Sequence, residues 1–340
     1  MPKGKPLVIL GIESSCDDTA AAVLVDGVVR SNVVAGQDVH KAWGGVVPEL
    51  ASRAHQEHIV PVVHEALRFA GIAKADLDAV AFTQGPGLIG ALLVGTCFAR
   101  SFAQALNVPL VAVDHLQAHV LAHFVRDGDE RPVPTFPFLN LTVSGGHTLV
   151  VLVRGPLDME VIGTTVDDAA GEAFDKGAKV LGLPYPGGPV IDRYAKAGDA
   201  MKYALPVPQL QGYDMSFSGV KTAFNNLVRN GEAREPGFAQ RELPHLCAAL
   251  QRNIVDILLR KTQKAGRTLG IPRIGISGGV SANSALRAQA TALAEREGWD
   301  LYLPPFAYCT DNAAMIAMAG HYLHEAGRHA GLDVVPVARR

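Results

Sequence analysis

Two stretches of the chain share one rhythm of apolar and polar positions. Residues 7–36, "LVILGIESSCDDTAAAVLVDGVVRSNVVAG", run apolar, polar turn, apolar, Asp-Gly turn, apolar, which predicts a three-stranded meander. Residues 138–165, "FLNLTVSGGHTLVVLVRGPLDMEVIGTT", repeat that order around the small-residue turn from Ser144 to Thr148. Each meander is followed later by a strand, a glycine loop and an apolar helix: "LDAVAFTQGPGLIGALLVGTCFARSFAQAL" at 77–106 and "IPRIGISGGVSANSALRAQATALAE" at 271–295. We read one structural unit used twice, and hence two lobes. Apolar residues at helical spacing predict a helix over "EHIVPVVHEALRFAG", ended by Gly71, and another over "LPHLCAALQRNIVDILLRKTQKAG", whose basic residues gather toward the C-terminal end that favours cations. Residues 201–245, rich in Pro, Gly and polar side chains, read as loops around a short helix beginning near "SFSGVKTAF".

Composition narrows the class. A chain of 340 residues exceeds what one small core organises, and 48% apolar with 19% charged residues is a globular balance. The net charge of −2 gives no bulk electrostatic reason to expect nucleic acid or a membrane. Four scattered cysteines without a CxxC pair predict neither a zinc knuckle nor a disulfide framework, and favour a reducing compartment. The acidic residues just after the first apolar run argue against a secretory signal, and "TQGPG" interrupts the longest uncharged stretch; the expectation is a cytoplasmic protein with no membrane partner.

Three loops have the chemistry of anion cradles: "ESSCDDT", "VSGGHT" and "SGGVSAN". Glycine lets backbone N–H groups approach a phosphate closely. Neither GxGxxG after the first strand nor GxxxxGK[ST] is present, so dinucleotide and P-loop sites are not indicated. A phosphate turn between antiparallel strands, used once per half, points instead to the duplicated actin-like architecture. "DHLQAHVLAH" places His115, His119 and His123 four apart on one helical face, a spacing that suits ligands on one metal or a helix merely decorated with imidazoles. Asp114 reads as an N-cap. In the metalloprotease pattern HExxH the second position is the basic glutamate; here it is Leu116. "PPFAYCTDNAAMIAMAG" offers Asp311, after the N-cap candidate Thr310, either as a third ligand or as a carboxylate favoured at a helix start.

Together, "GIESSCDDTAAAV", "GGVVPELASRAH", "QGPGLIGALLVG", "HLQAH", "VSGGHT", "DDAAGEAFDKGAKVLGLPYPGGP", "MSFSGVKTAF", "GGVSAN" and "CTDNAAMIA" closely resemble the TsaD family, bacterial tRNA N6-adenosine threonylcarbamoyltransferases once described as glycoproteases. The resemblance covers about residues 7 to 325. It implies an α/β actin-like ATPase (ASKHA, ribonuclease H-like) fold of two duplicated lobes around a central cleft, drawn at 1–114 plus 312–340 and at 115–311, the latter with 201–245 inserted. It implies transfer of threonylcarbamoyl from threonylcarbamoyl-AMP to N6 of the adenosine beside the anticodon in tRNAs reading ANN codons. It further implies one divalent ion, Fe2+ or Zn2+, on His115, His119 and Asp311. Donor binding falls to Thr142, Val143, Ser144, Gly145, Gly146, Asp175, Gly188, Asp192 and Asn283, with His147 flanking the phosphates. Glu13, Asp17 and Asp18 are the catalytic candidates, and His123 reverts to a surface or packing residue. TsaB and TsaE are the implied protein partners, with a TsaC-type enzyme supplying the adenylate. Two departures stand out: Gln117-Ala118 where members carry Glu-Gly, and Gly177 where they carry Thr or Val. The competing activities are a metal-dependent glycoprotein endopeptidase and a small-molecule kinase on the same fold.

Overall fold

The computed structural model describes residues 5–37, 40, 43–128 and 130–338. The chain forms two compact units, 1–133 with 304–340, and 134–303. These divide at 133/134 and 303/304 rather than at the expected 114/115 and 311/312. The physical reason is the histidine helix: it packs on the last helix of the chain, so both it and the segment carrying Asp311 belong to the first unit.

In the first unit, β1 (Val8–Glu13), β2 (Thr19–Val25) and β3 (Val28–Ala35) form the predicted meander, followed by α1 (Pro48–Ala70), β4 (Ala79–Gly85), α2 (Ile89–Leu106), β5 (Leu110–Asp114) and α3 (His115–Leu121). The sheet order is β3-β2-β1-β4-β5, with β1 antiparallel to β2 and parallel to β4. Val8, Leu10, Ile12 and Phe82 bury one face with Ile59, Val63 and Leu67 of α1. Gly71 adopts the left-handed conformation that closes α1, as the sequence predicts. The uncharged stretch resolves into β4, a glycine loop and α2, a helix apolar and long enough by length and composition to cross a membrane, here packed on β4 and α1.

The second unit repeats the plan. It contains β6 (Phe138–Val143), β7 (Thr148–Gly155), β8 (Asp158–Thr164), α4 (Ala170–Val180), α5 (Gly187–Ala195), α6 (Ser218–Arg234), α7 (Phe238–Arg241), α8 (Leu243–Leu269), β9 (Arg273–Ser277), α9 (Ser284–Glu297) and β10 (Asp300–Tyr302). Its order, read from β8, is β8-β7-β6-β9-β10, the same succession of antiparallel and parallel neighbours as in the first sheet. The duplication read from the sequence is therefore a duplication of topology. The 201–245 segment is more helical than expected, because Val220, Phe224 and Val228 give α6 a stripe that packs into the core.

The chain then returns to the first unit as α10 (Ala313–Glu325). This helix lies directly on the sheet. A Cβ at Gly11 of β1 would fall 2.5 Å from the Ala313 carbonyl oxygen and 2.6 Å from the Ala317 nitrogen, and one at Gly320 would fall 2.4 Å from the Ala81 Cβ. Only bare backbone permits this approach, and it fixes where the residues just before α10 emerge.

Candidate active site

In the first unit, α3 starts at a sharp boundary because Asp114 caps it, its carboxylate accepting from the N–H groups of Leu116 at 2.8 Å and Gln117 at 3.0 Å. The cap sets the phase of the helix, so His115 and His119 point the same way, with ring centroids 4.7 Å apart. The helix α10 is capped by Asn312, whose side chain accepts from the Met315 N–H at 3.0 Å, and not by Thr310. Asp311 is thereby excluded from the helix, and its Oδ1 lies 3.2 Å from His119 Nε2 and 3.5 Å from His115 Nε2. One donor atom from each of the three residues falls within 4.8 Å of the others.

The fit to a metal rests on His119. Its ring is fully buried and, among the described residues, neither nitrogen has a hydrogen-bond partner. A buried imidazole nitrogen without a partner costs about 1–3 kcal/mol, which a divalent ion would offset. The donor set, two imidazoles and a carboxylate, suits Zn2+ or Fe2+. His123, by contrast, is buried in the turn after α3 and lies outside the cluster, as a packing residue.

Glu13 ends β1 with its side chain fully buried. Its carboxylate accepts from the Ser15 N–H, from Thr83 Oγ1 at 2.7 Å and from His115 Nδ1 at 3.1 Å. Burial opposes its charge, but the positive His115 and these hydrogen bonds hold the carboxyl below its ordinary range. Burial likewise opposes charging His115, and Asp311 and Glu13 override it, raising the imidazole well above its ordinary value. Asp311 is pulled well below the carboxylate range by the two histidines against the cost of its burial. In electrostatic terms, the two carboxylates hold positive charge between them, which His115 carries in the metal-free protein.

Asp17 and Asp18 lie in the turn between β1 and β2. Burial, then repulsion from Asp17, Asp311 and Glu13, pushes Asp18 up to about 7. His55 of α1 straps this turn: its Nε2 donates to the Cys16 carbonyl at 3.0 Å, so Nδ1 accepts from Thr19 Oγ1 at 2.7 Å. Burial lowers its pKa and keeps it neutral.

In the second unit, the turn after β6 closes on itself, Ser144 N–H donating to the His147 carbonyl at 2.8 Å and His147 N–H to Ser144 Oγ at 3.1 Å. Gly145 and Gly146 face open space. Thr142 and Val143 are buried strand residues, so their side chains serve the sheet. Glycines let neighbouring backbone reach the turn: a Cβ at Gly171 would fall 2.5 Å from the Ser144 oxygen, and one at Gly278, with φ of +88°, 2.3 Å from the Val143 oxygen. Asp175 accepts from the Gly187 N–H at 2.7 Å and faces the Gly188 amide, while burial raises its pKa. Gly188 thus lies in the first turn of α5. Asp192 accepts from Ser284 Oγ at 2.7 Å, and Asn283 caps α9 while donating to Gln251 Oε1 at 2.8 Å. The predicted donor-binding residues share this unit, and several of them hold its glycine loops in place.

The family model described as "TsaD: tRNA N6-adenosine threonylcarbamoyltransferase" matches residues 28–318. The tRNA N6-adenosine threonylcarbamoyltransferase of Cytophaga hutchinsonii is 54% identical over 333 residues, covering 98% of this chain and 96% of that protein. This chain belongs to the TsaD family. The protein of the same name from Porphyromonas gingivalis is 53% identical over 336 residues, covering 98% of each. Full-length HypF, solved in a phosphate- and nucleotide-bound form, matches at a TM-score of 0.62 and 12% identity over 97% of this chain and 57% of that one. That likeness is one of fold, the duplicated α/β architecture of actin-like ATPases.

Sequence reasoning about this TsaD-family chain passed over three residues inside motifs it singled out. His55 continues the buried stripe of Ala51, Ile59 and Val62, which was the available signal. Asp167 accepts from Ser218 Oγ at 2.6 Å and from the Phe217 N–H at 2.7 Å, and Asp168 pairs with Lys176 at 2.8 Å and Lys221 at 2.7 Å. These tie "DDAAGEAFDKG" to "MSFSGVK", contacts between distant segments that no local spacing announces. The Gly177 departure also has a local meaning: a Cβ there would fall 2.2 Å from Leu250 Cδ2 of α8.

Proposed function

We propose that this chain transfers the threonylcarbamoyl group of threonylcarbamoyl-AMP to N6 of the adenosine beside the anticodon in tRNAs reading ANN codons. Membership of the TsaD family supports the reaction, and the observation that carries the assignment to residues is the convergence of His115, His119 and Asp311. The reacting carbonyl is a mixed anhydride and already activated. The N6 lone pair forms the new C–N bond, the C–O bond to the phosphate breaks, AMP departs, and one N6 proton must be taken up.

An Fe2+ or Zn2+ ion on His115, His119 and Asp311 would supply Lewis-acid polarisation and hold the donor's oxygens. The open backbone of Gly145 and Gly146 is assigned to the adenylate phosphate, with Asp175, Gly188, Asp192 and Asn283 shaping the rest of the donor site. Of the three acidic candidates, Glu13 already accepts three hydrogen bonds and is fully closed to solvent. Asp18, held near neutrality, is assigned the proton. The peptidase alternative lacks the basic glutamate of HExxH, and the kinase alternative gives no role to a buried His-His-Asp cluster. TsaB, TsaE and a TsaC-type adenylate supplier are the proposed partners, in the cytoplasm.

The test offers the metal-loaded protein, together with TsaB and TsaE, threonylcarbamoyl-AMP and an ANN-reading tRNA, and in parallel a glycoprotein, or ATP with sugars. Modified adenosine in the first reaction alone is the expected result. Cleavage or phosphorylation without tRNA modification would replace the proposal with one of its rivals.

A further inference from the structure

Glu13 is the one described carboxylate that touches the far nitrogen of a proposed metal ligand. We infer that Glu13 is a positioning residue: it fixes His115 in the tautomer with the proton on Nδ1, presenting Nε2 to the metal. The inference rests on the ligand assignment above and deepens it.

Glu13 Oε2 lies 3.1 Å from His115 Nδ1 and also receives the Thr83 hydroxyl at 2.7 Å, while Oε1 receives the Ser15 N–H. Both oxygens are thus anchored to the backbone turn after β1 and to β4, in a place fully closed to solvent. An ionised carboxylate only accepts, so the proton of a neutral His115 sits on Nδ1. Its Nε2, 3.5 Å from Asp311 Oδ1, is left with its lone pair toward the cluster. The Ser15 hydroxyl, 3.3 Å from the same Nδ1, reinforces that side. His119 has no such arrangement, since among the described residues nothing hydrogen-bonds its far nitrogen Nδ1. The two imidazoles are therefore unequal: His115 is oriented from behind by a buried carboxylate, and His119 is not. Carboxylates behind metal-bound histidines fix the ring and raise its basicity, and their loss typically weakens metal binding about ten- to a hundredfold.

The test uses the full chain, stripped of metal and titrated with Zn2+ and Co2+ against a chromophoric chelator. Glu13→Gln keeps the size of the side chain and removes its charge. The expected result is metal binding about ten- to a hundredfold weaker, an altered Co2+ visible spectrum, and an unchanged circular dichroism spectrum of the metal-free protein. Thr83→Val, which removes a donor to Glu13 without touching His115, should change the affinity far less. Binding by Glu13→Gln equal to that of the wild type would overturn the inference while leaving the ligand assignment intact. Failure of the wild type to bind metal would instead overturn the assignment itself. Should Glu13→Gln not fold, the wild type still decides: long-range 1H–15N spectra of the Zn2+-loaded protein must show His115 protonated at Nδ1, and a proton on Nε2 would refute the inference.

Discussion

Asp18 is held near neutrality by its surroundings, and the sign of that effect is measurable. Its folded value is about 7, against about 3.9 for an unfolded aspartate. Between those two values the folded state binds more protons than the unfolded one, so stability falls as pH rises through that window and levels off above 7. Asp18→Asn should therefore stabilise the metal-free protein at pH 8 by about 1–3 kcal/mol and leave it nearly unchanged at pH 3.5. Urea denaturation at the two pH values checks this, and an equal gain at both would contradict the burial argument. At this scale the sequence was only partly legible. His115 and His119 are visible as an i, i+4 pair, but spacing leaves His123 equivalent to them; the family resemblance sets it apart, and its place in the turn after α3 agrees. Asp311 stood undecided between cap and ligand. Thr310 and Asn312 both make good caps, and the structure resolves the choice by putting Asn312 in that role and so releasing Asp311. Glu13 was readable as an acid at the end of an apolar strand, whereas its engagement with Thr83 and His115, 70 and 102 residues away, was not.

The elements themselves were the most legible part. Apolar runs bounded by Asp-Gly and Ser-Gly-Gly turns gave β1 to β3 and β6 to β8, and the strand-loop-helix pattern gave β4 with α2 and β9 with α9. What pattern does not encode is which helix lies on which strand. The α10 helix reaches the sheet because Gly11 and Gly320 remove the side chains that would hold it off, and this contact sets the position of Asp311. Gly11→Ala puts a methyl group within 2.7 Å of three backbone or Cβ atoms of α10. It should destabilise the chain by about 1–3 kcal/mol, as overpacking does. Because Asp311 precedes α10, the same change should weaken metal binding even though Gly11 touches no ligand. Denaturant titration and chelator competition measure the two effects, and full retention of metal affinity with a displaced α10 would break the proposed link. Lobe boundaries were misplaced for a related reason: a break at 114/115 cuts a helix from the packing that holds it.

For the whole molecule, the chain has a net charge of −2, and the sequence contains no long basic run. Binding to tRNA draws much of its affinity from neutralised phosphates, so this balance points to partners supplying part of the tRNA surface. With the adenylate and tRNA in excess, the isolated chain should fail to turn over repeatedly, and adding TsaB and TsaE should restore turnover. Repeated turnover by the chain alone would show that no partner surface is needed. In the proposed reaction one metal centre, built from α3 and the segment before α10, serves acyl transfer to tRNA. Its most direct test is reconstituted modification with threonylcarbamoyl-AMP, comparing wild type, His119→Ala and Asp311→Ala by mass spectrometry of the tRNA nucleosides. Modified adenosine is expected with the wild type, and a loss of at least about a hundredfold in both variants, since each removes a ligand to an essential ion. Undiminished modification in both variants would contradict this role of the ion.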